Sequence, residues 1–319
     1  MDRRAARLIA TLLGLLAASS LIWMFQGLGA GGNRAFILHL RGTRLAGLAV
    51  VGAAVGVATV LFQTVAANRV LTPSIMGFDA LYVLLQTGLV AVLGIAGFAA
   101  LPGGAKFLAE VATMSLLAAA LFGTLFGRGA RDIPRTILTG VILGMLFRSL
   151  STFLARIMDP NAFAVVQSAS FASFGRLDAS LLPAAGAIAG LCAALALWLA
   201  PRLDVLALGR EVAVPLGLRF DRLVLVTLGL VGMLVSVSTA LVGPVAFFGL
   251  LVAGLAHGLA PSARHAVLLP AAGLIGALIL VAGQTLFERL MGQTATLSVV
   301  VEFAGGLFFL FLLLKGRLR

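Results

Sequence analysis

Four ionisable side chains, Asp79, Glu110, Arg148 and Glu302, stand inside long apolar stretches of this 319-residue chain. Charge at such depth is costly, and where it occurs it serves ion coupling, a proton relay or contact with a charged solute. Asp79, Glu110 and Glu302 fall within about two helical turns of the ends of their stretches, which is shallow for a proton relay. Arg148 follows Arg135 by 13 residues, about 20 Å along a helix rising ~1.5 Å per residue. As a cavity cation it would meet an anionic solute. Paired with a nearby carboxylate, or reaching outward along its aliphatic stem, it would be structural. ATP hydrolysis by this chain finds no footing. A phosphate-cradling loop needs Gly-x-x-x-x-Gly-Lys-Ser/Thr, but the two lysines, Lys106 and Lys315, follow Ala105 and Leu314. Any ATP-driven work therefore falls to another subunit. Cys192 is the sole cysteine, which excludes an internal disulfide, and His39, His257 and His265 are too dispersed for a metal site. Those histidines are expected at surfaces or interfaces.

The elements that must position these groups are hydrophobic spans. Apolar residues make up 61% of the chain and charged residues 11%, against about 45–50% and about 25% in soluble domains. Stretches near or above the roughly 18 residues that cross a bilayer core lie at 8–25, 45–63, 75–101, 107–126, 136–158, 181–199, 223–242, 245–259, 267–287 and 296–314. The expected fold is an all-α polytopic membrane protein of about ten transmembrane helices, forming one unit over 1–319. The start could pass for a signal peptide, but the run 8–25 is long for one.

The most informative joint lies between the second and third stretches, where Gln63 to Tyr82 includes Asn68-Arg69, Thr72-Pro73-Ser74 and Gly77. Freed backbone groups have no water in lipid, so such a joint belongs at a membrane surface or inside a protein-lined cavity. Small residues fill 52–58, which allows close helix approach and predicts a central, protein-surrounded helix. The eighth stretch is short and follows Gly243-Pro244, so it is expected to begin as a broken or re-entrant segment. Residues 162–174 are too short and polar to span, and predict a surface helix. Arg44-Leu45 and Arg222-Leu223 open similar Gly- and Val-rich spans of opposite direction, an echo compatible with an inverted repeat.

The net charge of +12 does not mark a nucleic-acid binder, because the basic residues are scattered between spans. With ten spans and a cytoplasmic N-terminus, 15 basic residues fall inside (Arg3, Arg4, Arg7, Arg69, Arg128, Arg131, Arg135, Arg202, Arg210, Arg219, Arg222, Arg264, Lys315, Arg317, Arg319). Seven fall outside (Arg34, Arg41, Arg44, Lys106, Arg156, Arg176, Arg289). This bias predicts both termini in the cytoplasm. The longest inside connection, 201–222, alternates apolar and charged residues and is broken by Pro215 and Gly217. It predicts two short amphipathic helices, suited either to a partner's groove or to the lipid interface.

Four motifs in order give the chain a resemblance. Asn68-Arg69-Val70-Leu71-Thr72-Pro73-Ser74-Ile75-Met76-Gly77, the segment 206–218, Gly243-Pro244-Val245-Ala246-Phe247-Phe248-Gly249-Leu250, and Gly305-Gly306 with its trailing Phe and Leu run are similar to those of FecCD-type permeases. These are subunits of bacterial ABC importers for iron–siderophores, haem and cobalamin. The chain departs from many members at 251–257, which lacks a proline before His257, and at Met76 to Tyr82. Both departures resemble the anguibactin, vibriobactin and petrobactin branch.

The resemblance implies a type II importer permease in the bacterial inner membrane, moving a ferric siderophore inward. Cobalamin or haem import, or an ion-coupled carrier, are the alternatives. It implies no catalytic residue, metal or cofactor in this chain, and ATP with Mg on a partner ATPase dimer. It further implies a second permease, identical or different, and a periplasmic or lipid-anchored binding protein. Coupling to the ATPase would fall to Leu206, Leu208, Gly209, Arg210, Glu211, Leu216 and Gly217, and docking of the binding protein to Arg41, Arg44 and Arg289. The path is expected along the second, third, fifth, eighth and tenth spans, with Thr136, Thr139 and Gly140 at a gate and Arg148, Asn68, Pro73 and Gly77 beside it.

Overall fold

Glycine and alanine decide which helices reach the centre. The computed structural model describes residues 3–26, 33–127, 133–175, 177–290 and 297–314. Helices α2 (Arg34–Ala66), α10 (Phe220–Val242) and α12 (His265–Leu290) form the middle of the molecule. Their apolar windows are 67%, 67% and 61% buried, against 11% for α1 (Arg3–Phe25). A methyl group on Gly52 would strike the Gly276 carbonyl, and one on Gly56 would lie 2.5 Å from the Ala272 carbonyl oxygen. α2 and α12 therefore meet backbone to backbone, the close approach that small residues permit where lipid supplies no hydrophobic drive. The central placement expected of 52–58 is the one observed: Val51, Ala54 and Ala58 are buried.

Around this centre stand α3 (Phe78–Ala99), α4 (Gly103–Gly127), α5 (Ile133–Ile157), α7 (Leu182–Trp198), α11 (Phe248–Leu259) and α13 (Leu297–Leu314). Each of the ten apolar stretches thus has a helix of its own, though the third and eighth are broken or short. Seven described helices are long and apolar enough to cross a membrane by length and composition, and α11 and α13 are shorter. A surface helix, α6 (Pro160–Ala169), starts on the Asp159 cap, whose carboxylate accepts from Asn161 N–H, and packs on α3. Two short helices, α8 (Ala200–Leu206) and α9 (Arg210–Ala213), form the connection before α10.

The structure corrects three expectations. The second helix does not begin at the apolar stretch 45–63: residues 34–44 form the first turns of α2, capped by Asn33, whose side chain accepts from Phe36 N–H. At 33 residues α2 is about 50 Å long, well beyond a ~30 Å hydrocarbon core. The third stretch is not one helix: a short 3-10 turn, Pro73–Met76, precedes α3, and α3 is itself interrupted at Gly94. His265 is no surface histidine, being 3% exposed.

Candidate functional site

Two helix breaks face each other inside the protein. In the first, α2 ends at Ala67; Asn68 and Arg69 are exposed, and the chain then turns inward so that Thr72, Pro73, Met76, Gly77 and Phe78 are buried. Gly77 has φ +94°, a conformation that side-chain-bearing residues rarely adopt, and it starts α3 in the interior rather than at the surface. In the second break, Gly243 (φ +96°) ends α10, Pro244 follows, and α11 starts at Phe248. At 12 residues α11 is about 18 Å long, too short to span, as the sequence predicts for a re-entrant segment.

Between the breaks lies a narrow space of about 20 Å³, edged by Thr59, Thr72, Ser74, Asp79, Ser238 and Thr239, room for one water molecule. Thr59 and Ser238 donate to carbonyls of their own helices, to Val55 and Val235. The Thr72 hydroxyl is buried with no hydrogen-bond partner among the described residues. Ser74 lies beside the Asp79 carboxylate, and the Ala246 backbone lies beside Glu302 of α13. Asp79 also lies within electrostatic reach of Arg148 and Glu302. Three of the four intramembrane ionisable residues thus converge on the breaks. The fourth, Glu110, accepts from Gln86 Nε2 at 2.6 Å and pairs with Lys106 at 3.7 Å, a structural tie between α3 and α4.

α5 closes over the first break. The Cα of Gly144 would lie 2.6 Å from a methyl group on Gly77, and a methyl on Gly140 would lie 2.6 Å from Met76 Cε. Thr139 lines an apolar cavity of about 370 Å³ together with Met76, Gly77, Leu81, Leu143 and Phe147. The structure thus brings Pro73, Gly77, Thr139, Gly140 and Arg148 to one place, and leaves Asn68 at the surface, where its side chain accepts from Val70 N–H. Thr136 and Arg289 sit on helices, but their side chains lie outside the described residues. Sequence reading missed Asp79, Glu302 and the hydroxyls of α10 as neighbours of the breaks. Ser238-Thr239 just ahead of Gly243-Pro244 was the signal available.

At the α8–α9 end, the connection presents two faces. Leu203, Leu206 and Ala213 are buried against the bundle, whereas Leu208, Val212, Val214 and Leu216 point out, 47–64% exposed. Leu206 therefore anchors the segment and offers nothing to a partner. Arg210 forms a two-point pair with Asp221, at 2.5 and 3.1 Å, and Glu211 is exposed. Gly209 and Gly217 shape the turns on either side of α9, with φ +85° and +83°. The segment is tied to the centre through His265: Asp204 of α8 accepts from both the backbone N–H and Nδ1 of His265, at 2.8 and 2.6 Å. His265 Nε2 in turn meets the Thr64 hydroxyl of α2 at 2.7 Å.

At the opposite end, Arg41 is occupied internally. Its Nη1 donates to the carbonyls of Trp23, Met24 and Gln26, at 2.9–3.1 Å, and Trp23 Nε1 donates back to the Arg41 carbonyl. It satisfies the orphan carbonyls that end α1, which leaves it poorly placed for a second protein. Arg44 lies 4.0 Å from Glu288 at one-third exposure, a pair worth about 0–1 kcal/mol and easily exchanged. Arg41→Ala is accordingly expected to lower the melting temperature and membrane level of the chain. Arg44→Glu should leave both unchanged, as thermal denaturation and quantitative blotting would check.

A family model, the FecCD transport family, matches residues 7–315. The chain belongs to the FecCD transport family. It is 40% identical to the petrobactin import system permease protein YclO of Bacillus subtilis (strain 168), over 96% of each chain. It is 33% identical to the petrobactin import system permease protein FatC of Bacillus anthracis, over 81% of this chain and 73% of that one. The vitamin B12 import system permease protein BtuC of Salmonella typhi is 28% identical over 97% and 92%. The solved structure of an inward-facing metal-chelate type ABC transporter superposes with a TM-score of 0.82 at 23% identity, covering 98% and 99% of the two chains. The fold is thus that of an ABC importer permease. As a FecCD member the chain is a multi-pass transport subunit and not an enzyme, and the family works with a separate ATPase and a substrate-binding protein.

Proposed function

We propose that this chain is the permease of an ATP-driven importer for a ferric siderophore of the petrobactin class. The observation that carries the substrate is the 40% identity to a petrobactin permease over nearly the full length, against 28% for a vitamin B12 permease. Chemistry supports the same reading. The deprotonated oxygens that hold ferric iron leave such chelates anionic, and Arg148 stands exposed midway along α5, where charge facing lipid would be costly.

A second permease covers that face. α5 and α13 both expose large apolar residues, among them Met145, Phe153, Phe303 and Leu310, and the path runs between the two permeases, past the paired breaks. The whole of 1–319 acts as one transmembrane domain. It carries no cofactor; ATP and Mg reside on the ATPase pair docked at α8–α9, which faces the cytoplasm together with both termini. Arg44, with Arg289 near the same end of α12, meets the siderophore-binding protein on the outer side, where exposed charges set orientation and encounter rate.

The test is uptake into proteoliposomes holding this chain, its second permease, its ATPase and its binding protein. Ferric petrobactin should accumulate only with internal ATP, and excess cobalamin or haem should not compete. Accumulation driven by a proton or sodium gradient without ATP would overturn the reading.

A further inference from the structure

A groove of about 550 Å³ opens beside the coupling segment, between the last turns of α7 and the first turns of α10. Its two ends differ in chemistry. Leu195 of α7, Leu199 at the α7–α8 joint, and Leu223, Val226 and Leu230 of α10 wall one part, at spacings that place each set on one face. Arg202, Arg219 and Arg222 rim the other. All three arginines are exposed, and none has an ion pair among the described residues; the nearby Asp221 is taken by Arg210. Trp198, 68% exposed, stands at the boundary with Arg202 5.0 Å above its ring. The groove is therefore aliphatic toward the middle of the helices, cationic at their ends, and aromatic between.

We propose that this groove is a binding site for one anionic glycerophospholipid. Its phosphate sits among Arg202, Arg219 and Arg222, and one acyl chain lies along Leu195, Val226 and Leu230. Basic pockets between transmembrane helices select anionic headgroups for the same reason, and tryptophan belongs at the headgroup level. The volume is that of an ordinary ligand site. An ATPase contact would also use the arginines, but it would leave the aliphatic half of the groove, which continues along the spans, without an occupant. A lipid there would brace α8 against α10, so that the coupling segment moves as one body with the bundle. This inference needs only that the chain spans a membrane and stands apart from the identity of the cargo.

The chain has two tryptophans, Trp23 and Trp198, so Trp23→Phe leaves Trp198 as the sole reporter. In mixed vesicles, brominated phosphatidylglycerol should quench Trp198 emission with an apparent affinity at least about fivefold above brominated phosphatidylcholine, the preference expected of one well-placed basic residue or more. The triple variant Arg202→Gln, Arg219→Gln, Arg222→Gln should bring the two lipids level, and the matching arginine-to-lysine triple should keep the preference. Added inorganic phosphate should not compete, which separates a lipid from a free anion. Equal quenching by both lipids, or a preference that survives the glutamine triple, would overturn the proposal. So would a preference that vanishes once the ATPase is assembled, since the arginines would then belong to that interface.

Discussion

Gly144→Ala will reduce uptake about tenfold or more, whereas Gly140→Ala will stay within about twofold of the native chain. The two glycines lie one turn apart on α5 and both face the re-entrant tip, so composition alone does not separate them. Their neighbours do. A methyl group on Gly144 would come within 2.8 Å of the Cα of Gly77, which has no side chain to move aside. Gly77 is itself fixed at φ +94° by the turn that starts α3. One methyl on Gly140 would meet Met76 Cε at 2.6 Å, the far end of a flexible thioether that can swing away, and Met76 Cβ at 3.3 Å. Overpacking a rigid contact costs about 1–3 kcal/mol, and here the displaced element is the break around which α3, α5 and α10 are arranged. Gly140→Leu, by contrast, cannot be absorbed by one side chain and is expected to abolish uptake at normal membrane level. Labelled-substrate uptake, normalised to membrane level, checks all three; native uptake by Gly144→Ala would place the moving contact elsewhere.

The spans are legible in the sequence because lipid forces a long apolar run wherever a helix crosses. Both breaks are legible too, since Thr72-Pro73 and Gly243-Pro244 cannot continue a helix and must be protected by protein. What stayed hidden were contacts that depend on where a helix starts. Arg41 reads as an outer-face docking cation, because it stands just ahead of the apolar stretch 45–63; in the fold it lies inside α2 and faces the end of α1. His265 read as a surface residue for lack of a nearby ligand in sequence. Its partners, Thr64 and Asp204, are 201 and 61 residues away, and only the packing of α2, α8 and α12 brings them together. Leu206 and Leu208 are alike in sequence and opposite in role, one buried at 3% and one exposed at 57%, because the turn before Gly209 rotates the chain between them.

That last difference sets the largest effect expected at the α8–α9 end. Leu208→Ala with Leu216→Ala will uncouple ATP hydrolysis from uptake, lowering solute moved per ATP by about tenfold or more while the chain still inserts and assembles. The two leucines are 57% and 64% exposed, with Val212 and Val214 between them, on a segment whose other face is buried. Fully covering a leucine contributes roughly 1.5–3 kcal/mol, so two truncations remove enough apolar contact to loosen a partner's grip without touching the bundle. Leu206→Ala is the internal control: truncating a buried leucine costs about 2–5 kcal/mol of stability, so it should lower the amount of chain rather than the transport per ATP of what remains. The Arg210–Asp221 pair supplies a second control. It is exposed on both sides and worth little in stability, so Asp221→Asn should leave the chain's amount unchanged. If the double leucine variant keeps native transport per ATP, the outward face of α9 lies in the lipid interface and the ATPase grips the chain at some other surface.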